Sequence, residues 1–174
     1  MTDAVSYEQR DGVALVHLEH PPANPLSPPL IEGLHAALDE ADRSDARVFV
    51  IASSVPRFFA AGADIKHMAS IQGEEFAAYG RALRAPLERI ARSERPSIAA
   101  IEGRALGGGL ELALACTLRV AGRAARFGLP EARLGMIPAA GGTQRLPALV
   151  GRGRALDLIL TAREIDAEEA LASA

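Results

Sequence analysis

Apolar and polar positions along the first part of the chain follow patterns that predict an α/β protein. Val13–Leu18 alternates between two faces, as a half-buried strand does, and turn-forming residues bound it on both sides. The short apolar runs Val48–Ala52 and Ser97–Ile101 are typical of strands that are buried on both faces. Apolar residues at helical spacing predict two helices between these strands, over Ser27–Asp42 and Glu74–Arg92. The order strand, helix, strand, helix indicates an α/β fold.

The later part of the chain is predicted to be mainly helical. A helical turn over Glu111–Ala115 leads almost directly into a strand over Thr117–Ala121. Helices are then predicted over Gly142–Val150 and Gly153–Thr161, and a last one over Asp166–Ala174 with its first residue as the cap. This last pattern contains no stop signal. We therefore expect the natural protein to be longer at its C-terminus.

Composition and charge limit the classes of protein to which this chain could belong. With 174 residues, of which 49% are hydrophobic, residues 1–174 are expected to form one domain without help from metals or disulfides. The net charge of −3 comes from interspersed residues, so nucleic acid is not an expected partner. Met1–Asp11 does not resemble a signal peptide and no long uncharged apolar run follows, which predicts a cytoplasmic protein without a membrane partner. The single cysteine, Cys116, is expected to be buried and inert.

Two segments rich in small residues stand out as candidate ligand sites. Phe58–Lys66 is predicted to join a buried strand to a helix capped by Asp64, and its free N–H groups would suit a negatively charged ligand. Gly103–Glu111 also lies between a strand and a helix, and its three consecutive glycines each cost about 1 kcal/mol relative to alanine in a helix. Close approach of a ligand to the backbone would explain them. The Lys-Ser or Lys-Thr pair of a P-loop is missing, which disfavours ATP and GTP.

Two glutamates, Glu111 and Glu131, are the candidate catalytic residues. Either one alone reads as a solvated carboxylate at the start of a helix. As a pair with different pKa values, they could move protons at a carbon centre. The histidines lack the spacing of metal ligands, so no metal site is expected. A serine or cysteine nucleophile has no supporting motif.

Three segments together resemble the signature of the crotonase, or enoyl-CoA hydratase/isomerase, family. They are Phe59–Lys66, Gly103–Leu112 and Phe127–Glu131, in the order and spacing of the family, and the likeness continues through Leu134–Pro138 and Gly141–Leu146. The resemblance implies a spiral of ββα units. It also implies that the substrate is an acyl-CoA thioester, that no separate cofactor is needed because coenzyme A enters with the substrate, and that the chain forms a homotrimer or dimer of trimers if further C-terminal helices are present.

The resemblance also implies roles for individual residues. The backbone N–H groups of Ala63 and Gly108 would hold the thioester oxygen, while Glu111 acts as base and Glu131 as acid in the addition of water. Residues implied to contact the substrate or its coenzyme A portion are Ala61, Gly62, Asp64, Ile65, Lys66, Gly107, Pro130 and Ala139. Ala139 departs from the family pattern, which commonly has glycine there, and its methyl group would either narrow the pocket or have little effect.

The resemblance therefore predicts an enoyl-CoA hydratase of fatty-acid β-oxidation or related acyl-CoA metabolism. Two alternatives keep the same chemistry: an isomerase that moves the double bond between the 3 and 2 positions, and the hydratase part of a multifunctional fatty-acid oxidation protein. A third alternative, a non-catalytic acyl-CoA binding module, belongs to a different class and has little need of both glutamates.

Overall fold

Three strand-strand-helix units repeat along the middle of the chain in the computed structural model, which describes residues 3–173. In each unit the first strand joins one sheet, the second strand joins another, and a helix or helical turn follows. The strands that form these units are β4 (Val48–Ser53) and β5 (Phe58–Ala60), β7 (Ser97–Ile101) and β8 (Arg104–Leu106), and β9 (Leu118–Ala121) and β10 (Arg126–Gly128). This arrangement confirms the α/β fold and the ββα spiral.

Five further strands lie outside the repeats. They are β1 (Val5–Arg10), β2 (Val13–Leu18), β3 (Pro25–Leu26), β6 (Gly62–Ala63) and β11 (Glu164–Asp166). The larger sheet has the order β1-β2-β4-β7-β9, and the smaller has the order β11-β10-β8-β5, so β1, β2 and β11 extend these two sheets at their edges. A separate two-stranded sheet pairs β3 with β6.

The helices agree with the predicted ones to within a few residues at each end. The helices are α1 (Pro28–Arg43), α2 (Ile65–Ser70), α3 (Gly73–Ala91), α4 (Gly108–Ala115), α5 (Gly142–Val150), α6 (Arg152–Thr161) and α7 (Ala167–Ser173), with a 3₁₀ turn at Pro130–Leu134. Asp166 caps α7 as predicted, because its side chain accepts a hydrogen bond of 2.9 Å from the Glu169 amide. Three residues that belong to predicted segments lie outside the described residues: Ala174, the predicted end of that helix, and Met1 and Thr2, of the N-terminal segment that does not resemble a signal peptide. Among residues 3–173 no helix is both long and apolar enough to cross a membrane.

The smaller sheet determines where the candidate site lies. Its strands β5, β8 and β10 are neighbours and run parallel, so their carboxyl ends lie at one edge. Gly62, Gly107 and Pro130 follow these three strands by two residues or fewer. The three segments that carry the family signature therefore meet at one edge of one sheet, which is where ligands bind in open parallel sheets.

Candidate active site

Two glycine-bearing segments touch at the centre of this edge. Gly62 has a φ of +92°, and a Cβ atom there would lie 2.9 Å from the Leu106 carbonyl oxygen and 3.2 Å from the Gly108 nitrogen. Both the backbone conformation and the space therefore require glycine. A Cβ atom on Gly108 would in turn lie 3.6 Å from the Ala63 nitrogen. The structure thus brings together the two amides that were predicted to hold the thioester oxygen.

The Gly108 amide is available to a ligand. Gly108 is the first residue of α4, and the first intrahelical hydrogen bond of this helix runs from the Glu111 amide to the Gly107 carbonyl, at 3.0 Å. The amide of Gly107 donates to the Gly128 carbonyl at 2.9 Å. No backbone or side-chain acceptor for the Gly108 amide is present among residues 3–173. The N-terminal end of α4 therefore presents a donor at the contact between the two segments.

Tyr79 forms hydrogen bonds that fix the position of the segment that carries Ala63. Its hydroxyl donates to the Leu26 carbonyl at 2.7 Å and accepts from the Asp64 amide at 2.9 Å. Burial raises the pKa of this hydroxyl to about 12, so it remains a donor at neutral pH. Tyr79 thus joins the end of β3 to the residue that follows Ala63.

Glu111 is a buried carboxylate with two backbone donors. Glu111 lies in α4 and is only 2% exposed. Its Oε1 accepts hydrogen bonds from the amides of Ala140 and Gly142, each at 2.8 Å. Burial raises the pKa of Glu111, whereas these two hydrogen bonds and the positive charge of Arg145 oppose that rise. The donors and the arginine stabilise the ionised form.

Glu131 lies in the 3₁₀ turn that follows β10, and its environment is different. Its Oε1 lies 3.0 Å from where a Cβ atom on Gly107 would be, next to the start of α4. Its Oε2 is buried and has no hydrogen-bond partner among residues 3–173. Burial raises the pKa of Glu131 to about 7; its own backbone amide opposes this rise and the nearby charge of Glu111 adds to it. Near neutral pH, Glu131 can therefore carry a proton, and the two backbone donors and Arg145 favour the ionised form of Glu111.

The other predicted contact residues lie next in sequence to the residues of this centre. Ala61 immediately precedes Gly62, and its amide donates to the Ala23 carbonyl at 3.0 Å. Asp64 caps α2, because its side chain accepts from the Lys66 and His67 amides at 3.0 and 3.1 Å. Ile65 and Lys66 are exposed on α2. Pro130 begins the turn that carries Glu131, and Ala139 is exposed beside the buried Ala140.

Some residues of the site were not identified from the sequence. They are Ala140 and Gly142, which donate to Glu111, Arg145, whose charge acts on it, and Tyr79. The glycine pair Gly141-Gly142 was a visible signal of an unusual backbone. Nothing in the local sequence indicates that Tyr79, on α3, reaches β3.

No metal cluster accompanies these groups in the part of the chain from residue 3 to residue 173. There, no group of three or more His, Cys, Asp or Glu side chains is placed to hold a metal ion. Cys116 is buried as predicted, and burial raises the pKa of its thiol to about 12.

Known proteins with the same sequence pattern and fold are enoyl-CoA hydratases and their relatives. A sequence model of the enoyl-CoA hydratase/isomerase family matches residues 8–173. A probable enoyl-CoA hydratase of Bacillus subtilis (strain 168) is 44% identical over 173 residues, which are 97% of this chain and 66% of that protein. The human mitochondrial methylglutaconyl-CoA hydratase is 48% identical over 151 residues, 86% of this chain and 44% of that protein. The crystal structure of an enoyl-CoA hydratase from Bacillus anthracis superposes with a TM-score of 0.93 at 40% identity, over 98% of this chain and 67% of that one.

The chain spans roughly half to two thirds of the length of the two curated relatives described above. The matched part includes all three segments that meet at the edge of the smaller sheet.

The contact between α4 and β5 predicts which glycine cannot be replaced. A Cβ atom on Gly109 would overlap the Ala60 carbonyl, whereas a Cβ atom on Gly153, in α6, would meet nothing within 4 Å. We expect Gly109→Ala to lower the free energy of unfolding by about 3 kcal/mol because backbone must move. The matched control Gly153→Ala should leave it unchanged or raise it by up to about 1 kcal/mol. Urea unfolding followed by circular dichroism measures both, and equal effects would contradict the close packing.

The raised pKa of Glu131 predicts a stability that depends on pH. The unfolded chain releases this proton near the ordinary pKa of 4.5, but the folded protein releases it near 7, so Glu131 lowers stability as the pH rises through this window. Glu131→Gln cannot ionise. Relative to the parent, its free energy of unfolding should therefore improve from pH 5 to pH 8 by about 1 to 2 kcal/mol, after allowance for solvent screening.

Glu168→Gln, an exposed change on α7, is the control for this measurement. Its difference from the parent should be the same at both pH values. If the difference between Glu131→Gln and the parent is also the same at both pH values, the pKa of the Glu131 carboxyl is not raised in the folded protein.

Proposed function

We propose hydration of a 2-enoyl-CoA thioester as the reaction of this chain, which belongs to the enoyl-CoA hydratase/isomerase family. The observation that carries the proposal is the pair of carboxyl groups with different environments beside two converging amides. Glu111 has two backbone donors, whereas Oε2 of Glu131 has none among residues 3–173. A base and an acid are thereby provided at one place.

The amides of Ala63 and Gly108 are proposed to bind the thioester oxygen. Attack of water on the β-carbon pushes the double-bond electrons toward that oxygen and forms an enolate. Two donors fixed by backbone geometry stabilise this charge without reorganisation, and losing one such donor typically costs about 3 to 4 kcal/mol of barrier. Support comes from the contact of Gly62 with Gly108 and from the free amide at the start of α4.

The two glutamates are proposed to move the two protons of the reaction. Glu111 accepts a proton from the attacking water as the carbon–oxygen bond forms, and Glu131 donates a proton to the α-carbon as the enolate collapses. The product is a 3-hydroxyacyl-CoA, and one further proton transfer restores the starting ionisation of the pair. The donors on Glu111 favour its ionised form, and burial keeps a proton on Glu131 up to a pH of about 7.

The remaining substrate contacts are proposed from the position of each residue. Ala61, Gly62, Asp64, Ile65 and Lys66 would lie along the coenzyme A portion, with the exposed ammonium of Lys66 as a partner for phosphate. Gly107 and Pro130 adjoin the carboxyl of Glu131, and Ala139 would contact the acyl portion. Coenzyme A arrives as part of the substrate, and the proposed assembly, if further C-terminal helices are present, is a homotrimer or dimer of trimers.

Replacement of each glutamate tests the proposal. Glu111→Gln and Glu131→Gln should each lower kcat for hydration of crotonyl-CoA by about 100-fold or more, because the base or acid is lost, whereas Glu168→Gln should keep the parent rate. The loss of enone absorbance measures hydration. Binding of crotonyl-CoA by the parent protein without hydration would support a non-catalytic binder instead, and undiminished hydration in both site variants would exclude the two glutamates as base and acid. Conversion of a 3-enoyl-CoA to its 2-enoyl isomer without hydration would support an isomerase.

The pH dependence of hydration should show two limbs. Activity should fall as the pH rises past about 7, because Glu131 then loses the proton that it donates. It should also fall at acidic pH, where Glu111 becomes protonated. Initial rates at crotonyl-CoA concentrations well below KM give kcat/KM and so report the free enzyme; measured between pH 5 and pH 9 they show both limbs, and a rate that keeps rising to pH 9 would exclude Glu131 as the acid.

A further inference from the structure

The loop between the 3₁₀ turn and α5 holds the Glu111 carboxylate. The amides of Ala140 and Gly142 both donate to the same oxygen, Oε1, at 2.8 Å. Gly141 lies between them with a φ of +108°, a conformation that L side chains rarely adopt. The position of the carboxylate therefore depends on the conformation of this loop at residues 140–142.

Arg145, on α5, forms hydrogen bonds to the same loop. Its Nη1 donates to the Ala140 carbonyl at 2.8 Å, and its backbone amide donates to the Gly141 carbonyl at 2.8 Å. The guanidinium lies against Gly141 so closely that a Cβ atom there would overlap it. The peptide unit of Ala140 thus accepts from Arg145 through its carbonyl, while the amide of the same residue donates to Glu111.

Arg145 has no ion-pair partner within the described part of the chain. No carboxylate lies within 4.0 Å of its guanidinium in the part of the chain from residue 3 to residue 173. It lines a cavity of about 400 Å³ together with Arg84 and Glu88 of α3 and with Arg92, which follows that helix. The positive charge of Arg145 acts on Glu111, whose other charged neighbour is Glu131. An arginine without an ion pair near a buried carboxylate favours the ionised carboxylate.

We propose that Arg145 is a positioning residue of the reaction, which holds the loop at residues 140–142 against Glu111 and keeps that carboxylate ionised. It does so without touching the reacting atoms. The proposal rests on the role of Glu111 as base in the proposed function. Two separate effects follow from it: the hydrogen bond to the Ala140 carbonyl fixes geometry, and the positive charge fixes the protonation state.

Two substitutions separate these effects. Arg145→Met removes both the hydrogen bond and the charge, while Arg145→Lys keeps the charge but not the planar fork that reaches the carbonyl. Arg152→Met, at an exposed position at the start of α6, is the matched control. Urea unfolding of each variant first establishes that it folds, and Arg145→Lys provides the test if Arg145→Met does not.

Steady-state hydration is the first readout. Arg145→Met should lower kcat by about 10- to 100-fold, because a carboxylate displaced by even a fraction of an ångström is poorly aligned, and KM should change by less than about threefold. The acidic limb of its pH profile should move to higher pH, because Glu111 becomes harder to ionise. Arg145→Lys should return this limb toward the parent position while kcat stays low. Arg152→Met should match the parent in both respects.

Titration of Glu111 by ¹³C NMR in the unliganded protein is the second readout and does not depend on activity. In a Glu131→Gln background, the Glu111 carboxyl should titrate at higher pH with Arg145→Met than without it, and Arg145→Lys should reverse most of the change. The signal is assigned by its loss in Glu111→Gln.

The two readouts separate the possible failures. If Arg145→Met matches Arg152→Met, or loses activity while the acidic limb and the Glu111 titration stay at the parent positions, the positioning role is overturned. If the parent protein shows no hydration at all, the proposed function fails, and the NMR titration alone still decides whether Arg145 controls Glu111.

Discussion

Parallel pairing of three short strands is the constraint on which the site depends. β5, β8 and β10 have three residues each, and alone none would be stable. Paired side by side, they place the ends of three distant segments at one edge of a sheet. Because β8 is the middle strand of the three, its following residues Gly107 and Gly108 touch both neighbours: Gly62 on one side and the Glu131 carboxyl on the other. The glycines are needed because side chains would separate these neighbours.

The burial of Glu111 is the second constraint, and it explains the loop that follows the 3₁₀ turn. A carboxylate on a helix with only apolar neighbours would be strongly destabilised, so its oxygens require donors from elsewhere. The loop at residues 140–142 supplies two amides, at the cost of a left-handed backbone at Gly141. Oε2 of Glu131 receives no such hydrogen bond from residues 3–173, and burial raises the pKa of Glu131 to about 7. The difference between the two glutamates thus comes from the loop and not from the residue type.

The sequence predicted the elements whose pattern is local. β2 and β7 were predicted with their observed bounds, because their alternation or apolar run is bounded by turns. β1 was missed, since it is an edge strand with an exposed second half and no apolar run. The three-residue strands β5, β8 and β10 are too short for any periodicity to indicate them. The motifs indicated the residues of the candidate site but not its geometry. Tyr79 and Arg145 form hydrogen bonds to backbone groups, which every residue has, so these contacts leave no pattern in the sequence.

Helix α4 shows why the same residues serve both folding and chemistry. All eight of its residues are buried, so a charged residue within it must be compensated, and Glu111 is the only charged one. Its glycines at 108 and 109 weaken the helix but allow it to lie against Ala60, Gly62 and Leu26. An alanine at either position would favour the isolated helix and would oppose its packing. The first residues of α4 therefore have low helix propensity but allow close packing. The Gly108 amide at this helix start has no intrahelical acceptor, and it is the amide that the proposed reaction requires.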